Sequence, residues 1–216
     1  MIFGKIDYLN LLPFHIFMKR FVQGSSQKMS ISSKKGVPSN INSKFVKRKV
    51  DAAFISSIRA KGYQNVNLGI IAKKEVLSVL VIPNSENLSD IESETSNVLA
   101  KILKAQGEVI IGDKALKYYL QNKPHTDLAS QWHKKHHLPF VFALLCYHKD
   151  KKIYKTIEKN FLKQRIKIPQ YILKKSAKKT DINEKDILNY LKYISYDLTP
   201  KAKLGLKRFY KEAKKI

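Results

Sequence analysis

A short apolar run, a small polar cluster and then a helix start recur four times along this chain, the pattern of a repeated βα unit. Ile2 to Leu9 reads as a strand, Asn10 sits just past it, and Pro13 suits the first turn of a helix through Phe14, Phe17 and Phe21. Val50 to Ile55 is a short buried strand that ends in Ser56-Ser57, after which Ile58 to Lys61 begins helical. Glu94-Thr95-Ser96 opens an amphipathic stretch with Val98, Leu99, Ile102 and Leu103 on one face, and Gly107 stands where a C-terminal stop is expected. Glu108 to Ile111 is a strand, Gly112-Asp113 the turn, and Ala115 to Leu120 a helix. Alternation of this kind predicts an α/β protein with largely parallel sheets.

Two further runs, Val76 to Ile82 and Pro139 to Leu145, are β-rich and nearly uncharged, as central strands are. A chain that leaves one lobe by one strand and returns by another makes a two-lobed clamp with a two-strand hinge and a ligand cleft between the lobes. The expected division is residues 1–80 plus 141–216 for the first lobe and 81–140 for the second, with Ser78 in the crossing strand. The tail reads as helices with apolar faces at Ile153, Ile157, Phe161 and Leu162, then Ile187, Leu188, Leu191 and Ile194; Thr199-Pro200 caps a last helix through Leu204, Leu206 and Phe209. These tail faces suggest packing, not chemistry.

In parallel-strand units ligands gather beyond the carboxyl ends of the strands, which puts Asn10, Ser56, Ser57 and Gly112 on one rim. Helix starts there expose unpaired N–H groups and partial positive charge, so the expected ligand is a small anion. Ser, Thr and Asn are also ordinary N-caps, so it is their grouping that suggests a site.

Composition narrows the class. With 216 residues, 44% apolar and 27% charged, the chain is globular and long enough for two lobes. The net charge of +25 is what a nucleic-acid binder carries, but the 42 basic residues comprise 37 lysines and five arginines, whereas bidentate base and phosphate recognition favours arginine. The excess lies on helical patterns such as Lys174-Lys175 and Lys178-Lys179, away from stacking aromatics, so neither nucleic acid nor membrane is an expected partner. Cys146 is a lone cysteine, which excludes a disulfide framework, fits a reducing compartment and reads as a small buried hydrophobe. Charges at Lys5 and Asp7 break the first apolar run, and the longest one, Leu138 to Tyr147, falls short of the ~20 residues that cross a bilayer. The reading is cytoplasmic.

The chain carries no P-loop, dinucleotide glycine fingerprint or nucleophile elbow. His133, His136, His137 and His148 cluster in sequence, but adjacent His136 and His137 point apart on a helix and no neighbouring carboxylate is evident, so no metal is expected. His15 is an acid–base candidate.

The segments Gly4-Lys5-Ile6-Asp7-Tyr8-Leu9-Asn10-Leu11-Leu12-Pro13-Phe14, Val37-Pro38-Ser39-Asn40-Ile41-Asn42, Val50 to Ser57, Ser78-Val79-Leu80, Thr95-Ser96, Ile111 to Leu116, and Asp127-Leu128 with Trp132 before Leu138 to Ala143 occur in order. In that ordered combination, through residues 1 to about 146 and more weakly over Tyr190 to Phe209, the sequence resembles the chorismate dehydratases of the futalosine route to menaquinone. The resemblance implies a type II periplasmic-binding-protein-like fold used as a cytoplasmic lyase, without cofactor or metal, that dehydrates chorismate to 3-[(1-carboxyvinyl)oxy]benzoate. It places Asn10 beside the reacting ring and Ser78 near the substrate carboxylates, with Ser39, Ser56, Ser57, Thr95, Ser96, Gly112 and Asp113 as substrate contacts. Stepwise elimination through a stabilised carbanion is implied, the base being the substrate's own enolpyruvyl carboxylate, or else Asp113 or His15. Glu94 departs from expectation, as a negative charge beside an anion site. The alternative is a solute-binding protein for an aromatic or dicarboxylate anion.

Overall fold

The computed structural model describes residues 1–24 and 32–216. The chain opens with β1 (Ile2–Ile6), a 3-10 turn (Leu9–Leu11) and α1 (Leu12–Gly24), followed by β2 (Ser32–Gly36), α2 (Pro38–Val46), β3 (Ala52–Ser56), α3 (Ser57–Ala60) and β4 (Asn65–Ala72). It continues through β5 (Val79–Ile82), α4 (Glu94–Leu103), β6 (Glu108–Ile111), α5 (Gly112–Leu120), β7 (Thr126–Asp127) and α6 (Leu128–His136). Then come β8 (Phe140–Tyr147), α7 (Lys151–Lys163), α8 (Gln170–Thr180), α9 (Glu184–Leu191), β9 (Ile194–Asp197) and α10 (Pro200–Ala213).

Two sheets result, a large one ordered β2-β1-β3-β8-β4-β9 and a small one ordered β6-β5-β7. The expectation of largely parallel sheets is corrected. Only β1–β2 and β1–β3 are parallel; β3–β8, β8–β4 and β4–β9 are antiparallel, as are both pairings of the small sheet. The reason is topological: β3 and β4 run the same way across a helical connection, and β8, returning from the small sheet, inserts between them in the opposite sense. No local sequence signal says where a returning strand inserts.

The chain passes between the sheets twice, at residues 73–78 and 137–139. Both passages are irregular connectors and not strands, so Ser78 lies in a bend immediately before β5. Asp127 ties the first passage to the start of α6. Its Oδ1 accepts the Ser130 N–H and caps α6, and its Oδ2 accepts the Val76 and Leu77 N–H groups at 2.9 and 2.7 Å. Those bonds hold Leu77 in the left-handed region at φ 62° and so aim Ser78.

The core follows the apolar pattern: Phe14 and Phe17 of α1, Phe54 of β3 and Phe161 of α7 meet edge-on or tilted at 4.9–6.3 Å, and Trp132 of α6 packs on Phe140 and Phe209. Cys146 is fully buried, and burial pushes its thiol up to about 12, as a small core residue's would be. Thr199 caps α10 through the Ala202 N–H as expected. Gly107 does not stop α4; Lys104, in the left-handed region at φ 53°, does. All three expected apolar faces of the tail are partly exposed, at Leu162, Leu188 and Leu204, and Ile194 is in β9. Among the described residues no helix is long and apolar enough to cross a membrane.

Candidate functional site

A cleft partly open to solvent lies between the two sheets. Its large-sheet wall is apolar, from Ile6, Phe54, Ile70 and Phe142, and ends in Ser56; its small-sheet wall carries Val79, Ile111 and Gly112, with Ser93 and Ser96 from the start of α4. The connectors supply Tyr8, Asn10 and Ser78. A mostly apolar cleft with a few convergent polar groups suits a small aromatic or cyclic ligand.

Of the residues expected at the site, the cavity brings together Asn10, Ser56, Ser78, Ser96 and Gly112. Ser56 Oγ accepts Asn42 Nδ2–H at 2.6 Å, while Asn42 Oδ1 accepts the Ser56 N–H, so the Ser56 proton is left to donate into the cavity. Ser96 is set similarly: Ser93 is the N-cap of α4, accepting the Ser96 N–H and donating to Ser96 Oγ at 2.8 Å, which frees the Ser96 proton. Ser78 Oγ shares a 2.8 Å hydrogen bond with the buried Tyr190 hydroxyl. Burial raises the Tyr190 pKa well above the ordinary phenol range, against smaller opposite effects of the Ser78 and Asn10 side chains, so this phenol stays protonated. Asn10 Oδ1 is buried without a hydrogen-bond partner in the protein, an open acceptor on the cavity wall.

The other expected residues are engaged elsewhere. Ser57 Oγ donates to the Val141 carbonyl at 2.6 Å, and Thr95 Oγ1 accepts the Ile58 N–H, joining α4 to α3. Asp113 Oδ1 accepts the Leu9 N–H at 3.0 Å, and Ser39 follows Pro38 in the first turn of α2, with Pro38 and not Ser39 on the cavity wall. The Gly112 N–H is taken by the Ser78 carbonyl, so Gly112 contributes shape: at φ +69° it lies against the Tyr8 ring, where a Cβ would stand 2.7 Å from Cζ. His15 donates from Nε2 to the Ile6 carbonyl at 2.8 Å, and burial drives its pKa down to about 4, a neutral structural histidine. Glu94 is neutralised by a two-pronged pair with Arg59, which answers the expected clash of its charge with an anion. His136 lies 3.3 Å from Glu212, so the histidine cluster does have a carboxylate nearby; among the described residues no three His, Cys, Asp or Glu side chains converge.

The tail was expected only to pack, and this is corrected. Tyr190 of α9 reaches Ser78, Tyr196 of β9 donates to the Asn10 carbonyl at 2.6 Å, and Tyr210 of α10 donates to the Ser57 carbonyl at 2.8 Å. Sequence reasoning missed Tyr190, Tyr196, Ser93 and Asn42. Ser93 could have been found, since a serine three positions before Ser96 at a helix start is an N-cap signature; the tyrosines carried no local signal.

Among the described residues of the cavity wall none is Asp, Glu, His, Lys or Arg. Positive potential comes instead from the starts of α2, α4 and α5, reached at Pro38, Ser93 and Gly112. The arrangement can hold an anion by hydroxyl and amide donors.

Comparisons with known proteins agree with this geometry. The family model for menaquinone biosynthesis matches residues 1–107 and 101–215. The chain is 50% identical over 220 residues to chorismate dehydratase of Campylobacter jejuni subsp. jejuni serotype O:23/36 (strain 81-176), covering all of this chain and 99% of that protein. Among solved structures it is similar to a structural-genomics protein from Archaeoglobus fulgidus (TM-score 0.71, 11% identity, 99% of this chain and 96% of that one). It is also similar to the alkanesulfonate-binding protein of Xanthomonas axonopodis pv. citri bound to MOPS (TM-score 0.61, 10% identity, 97% and 89%). A Candida albicans protein described as having the generic periplasmic binding protein fold matches at TM-score 0.60 and 12% identity (100% and 90%). These likenesses establish a periplasmic-binding-protein-like fold, and the full-length match to the family model and to its relative establishes that this chain belongs to the menaquinone-biosynthesis family that includes chorismate dehydratase.

Proposed function

We propose that this protein dehydrates chorismate to 3-[(1-carboxyvinyl)oxy]benzoate, as a step of the futalosine route to menaquinone. The observation that carries the reading is the cavity itself: a mostly apolar slot edged by Ser56 and Ser96 with protons free to donate and by the open acceptor of Asn10. In the reaction one ring C–H bond and the neighbouring C–O bond break, the ring becomes aromatic, and the proton and hydroxyl leave as water.

The ring proton is acidified by conjugation through the diene to the ring carboxylate, so elimination proceeds stepwise through a carbanion whose charge spreads onto that carboxylate. Donors fixed beforehand by Asn42 and Ser93 stabilise the growing charge without reorganising. His15 and Asp113 are spent on the Ile6 carbonyl and the Leu9 amide, and the described residues of the cavity wall offer no ionisable base except the hydrogen-bonded Tyr8 phenol. This supports the substrate's enolpyruvyl carboxylate as the group that takes the proton, with the cleft walls fixing its approach. Asn10 accepts from the departing hydroxyl side of the ring, and Ser78, backed by Tyr190, donates to a carboxylate. The two sheets support a division close to the expected 1–80 with 141–216 against 81–140, except that Val79 and Leu80 fall in β5 of the small sheet and Phe140 in β8 of the large one.

The test is incubation of the purified protein with chorismate, following loss of the diene absorbance and the mass of the product. Appearance of the carboxyvinyloxy-benzoate, abolished in Asn10→Ala, supports the proposal. Binding of chorismate without turnover points to a solute-binding role, and no binding refutes both.

A further inference from the structure

Asn10 sits in the middle of a 3-10 turn, Leu9–Leu11, that cannot hold itself together. Three residues make too few internal bonds to offset the ordering of the backbone, and Tyr8, at the position before the turn, makes no side-chain cap hydrogen bond. Its internal ties are the Leu11 N–H to the Tyr8 carbonyl at 3.1 Å and the Leu12 N–H to the Leu9 carbonyl where α1 begins. The turn is instead held from outside on two sides. From the tail, the Tyr196 hydroxyl donates to the Asn10 carbonyl. From the start of α5, 104 residues away in sequence, Asp113 Oδ1 accepts the Leu9 N–H at 3.0 Å, the bond that an N-cap side chain would otherwise make.

The same face of the small-sheet lobe grips Tyr8: Gly112 lies flat against its ring, and its hydroxyl donates to the Glu92 carboxylate. The Glu92 backbone is fixed in turn by Asp90 Oδ1, which accepts its N–H at 2.8 Å, while Asp90 Oδ2 pairs with Lys114 of α5 at 2.6 Å. Ring, hydroxyl and amide of two consecutive residues are thus held by one rigid corner of the opposite wall.

We propose that Asp113 is a positioning residue that caps the Leu9–Leu11 turn from across the cleft and so fixes the Asn10 side chain in the cavity only when the two walls meet. Asn10 is then assembled by closure. The open form lacks the cap, and the turn that carries Asn10 loosens, which couples cleft closure to the readiness of the site. The carboxyl of Asp113 is raised to about 6, chiefly by burial and against the Leu9 hydrogen bond, as fits a group turned to the protein interior. What the turn needs from residue 113 is an oxygen acceptor, not a charge or a proton.

This rests on the dehydratase reading only for its activity arm, and the two arms separate the failures. Asp113→Asn keeps an oxygen at the acceptor position, whereas Asp113→Ala removes it. With wild-type turnover of chorismate in hand, Asp113→Ala is expected to lose about tenfold or more in kcat with KM little changed, and Asp113→Asn to stay within about threefold of wild type. In amide hydrogen exchange followed by NMR, Leu9 is expected to exchange at least about tenfold faster in Asp113→Ala than in wild type, with core strands such as β3 unchanged and Asp113→Asn near wild type. Equal loss of activity in both variants would make the carboxylate a base or a charge contact and overturn the proposal, as would full activity of Asp113→Ala. Unchanged Leu9 exchange in Asp113→Ala overturns it whether or not the wild type turns chorismate over, whereas wild type without turnover but with the expected exchange pattern defeats the dehydratase reading alone.

Discussion

Asn42→Asp isolates the direction of one buried proton. In the wild type Asn42 Nδ2 donates to Ser56 Oγ at 2.6 Å and Asn42 Oδ1 accepts the Ser56 N–H at 3.2 Å, so the Ser56 hydroxyl proton has no protein acceptor and faces the cavity. Aspartate matches asparagine in shape but, when ionised, only accepts. The Ser56 N–H bond survives, and the Ser56 hydroxyl must turn to donate to the new carboxylate. A ligand carboxylate then loses a charge-assisted hydrogen bond worth about 1.5–3 kcal/mol, which is about tenfold to about 150-fold in binding, and it meets a like charge besides. The expected result is a rise in KM for chorismate of at least about tenfold at pH 7.5. Because burial favours the neutral acid, the defect shrinks as pH falls and residue 42 takes up a proton. Steady-state kinetics from pH 5.5 to 8 with thermal unfolding of the same samples make the assay. A KM within about twofold of wild type across that range, in a folded protein, refutes the assigned proton direction.

Tyr190→Phe deletes one hydroxyl from the Ser78 pair; about 1–2 kcal/mol of stability and about tenfold in kcat/KM are expected to go, with no change in the shape of the pH profile below pH 9 because the phenol is neutral throughout. Gly112→Ala forces φ +69° on an L residue and drives a Cβ into the Tyr8 ring, so denaturant unfolding should show a loss of about 2–3 kcal/mol and activity should fall with it; an unchanged midpoint would disprove the close approach. His15 is held neutral with its pKa near 4, below its unfolded value of 6.5, so the unfolded chain binds the extra proton between those values and stability falls as pH drops from 6.5 to 4. That contribution reaches up to about 3 kcal/mol, and His15→Gln, which can still donate to the Ile6 carbonyl, should flatten the stability profile in that window.

Local chemistry alone determined a good part of this protein. The apolar runs at Val50–Ile55 and Glu108–Ile111 became β3 and β6, Pro13, Pro38 and Pro200 stand in first helical turns, and Thr199 caps α10, because strand burial and helix caps act within a few residues. β4 is legible in the alternation Val66, Leu68, Ile70, while β2, Ser-Ser-Lys-Lys-Gly, is an edge strand with no apolar signal. Tertiary structure decided what depends on distant neighbours. Ser56 and Ser57 are adjacent and chemically identical, as a cap or a ligand contact would require, yet one proton is left for the cavity and the other is bonded to Val141 of a strand 84 residues on. The insertion of β8 reversed the sheet sense, and Tyr190 and Tyr196 entered the site from a tail whose periodicity spoke only of packing. A hydroxyl's role is fixed by which acceptor folding brings within about 3 Å, and that selection is made by long-range pairing the sequence does not display.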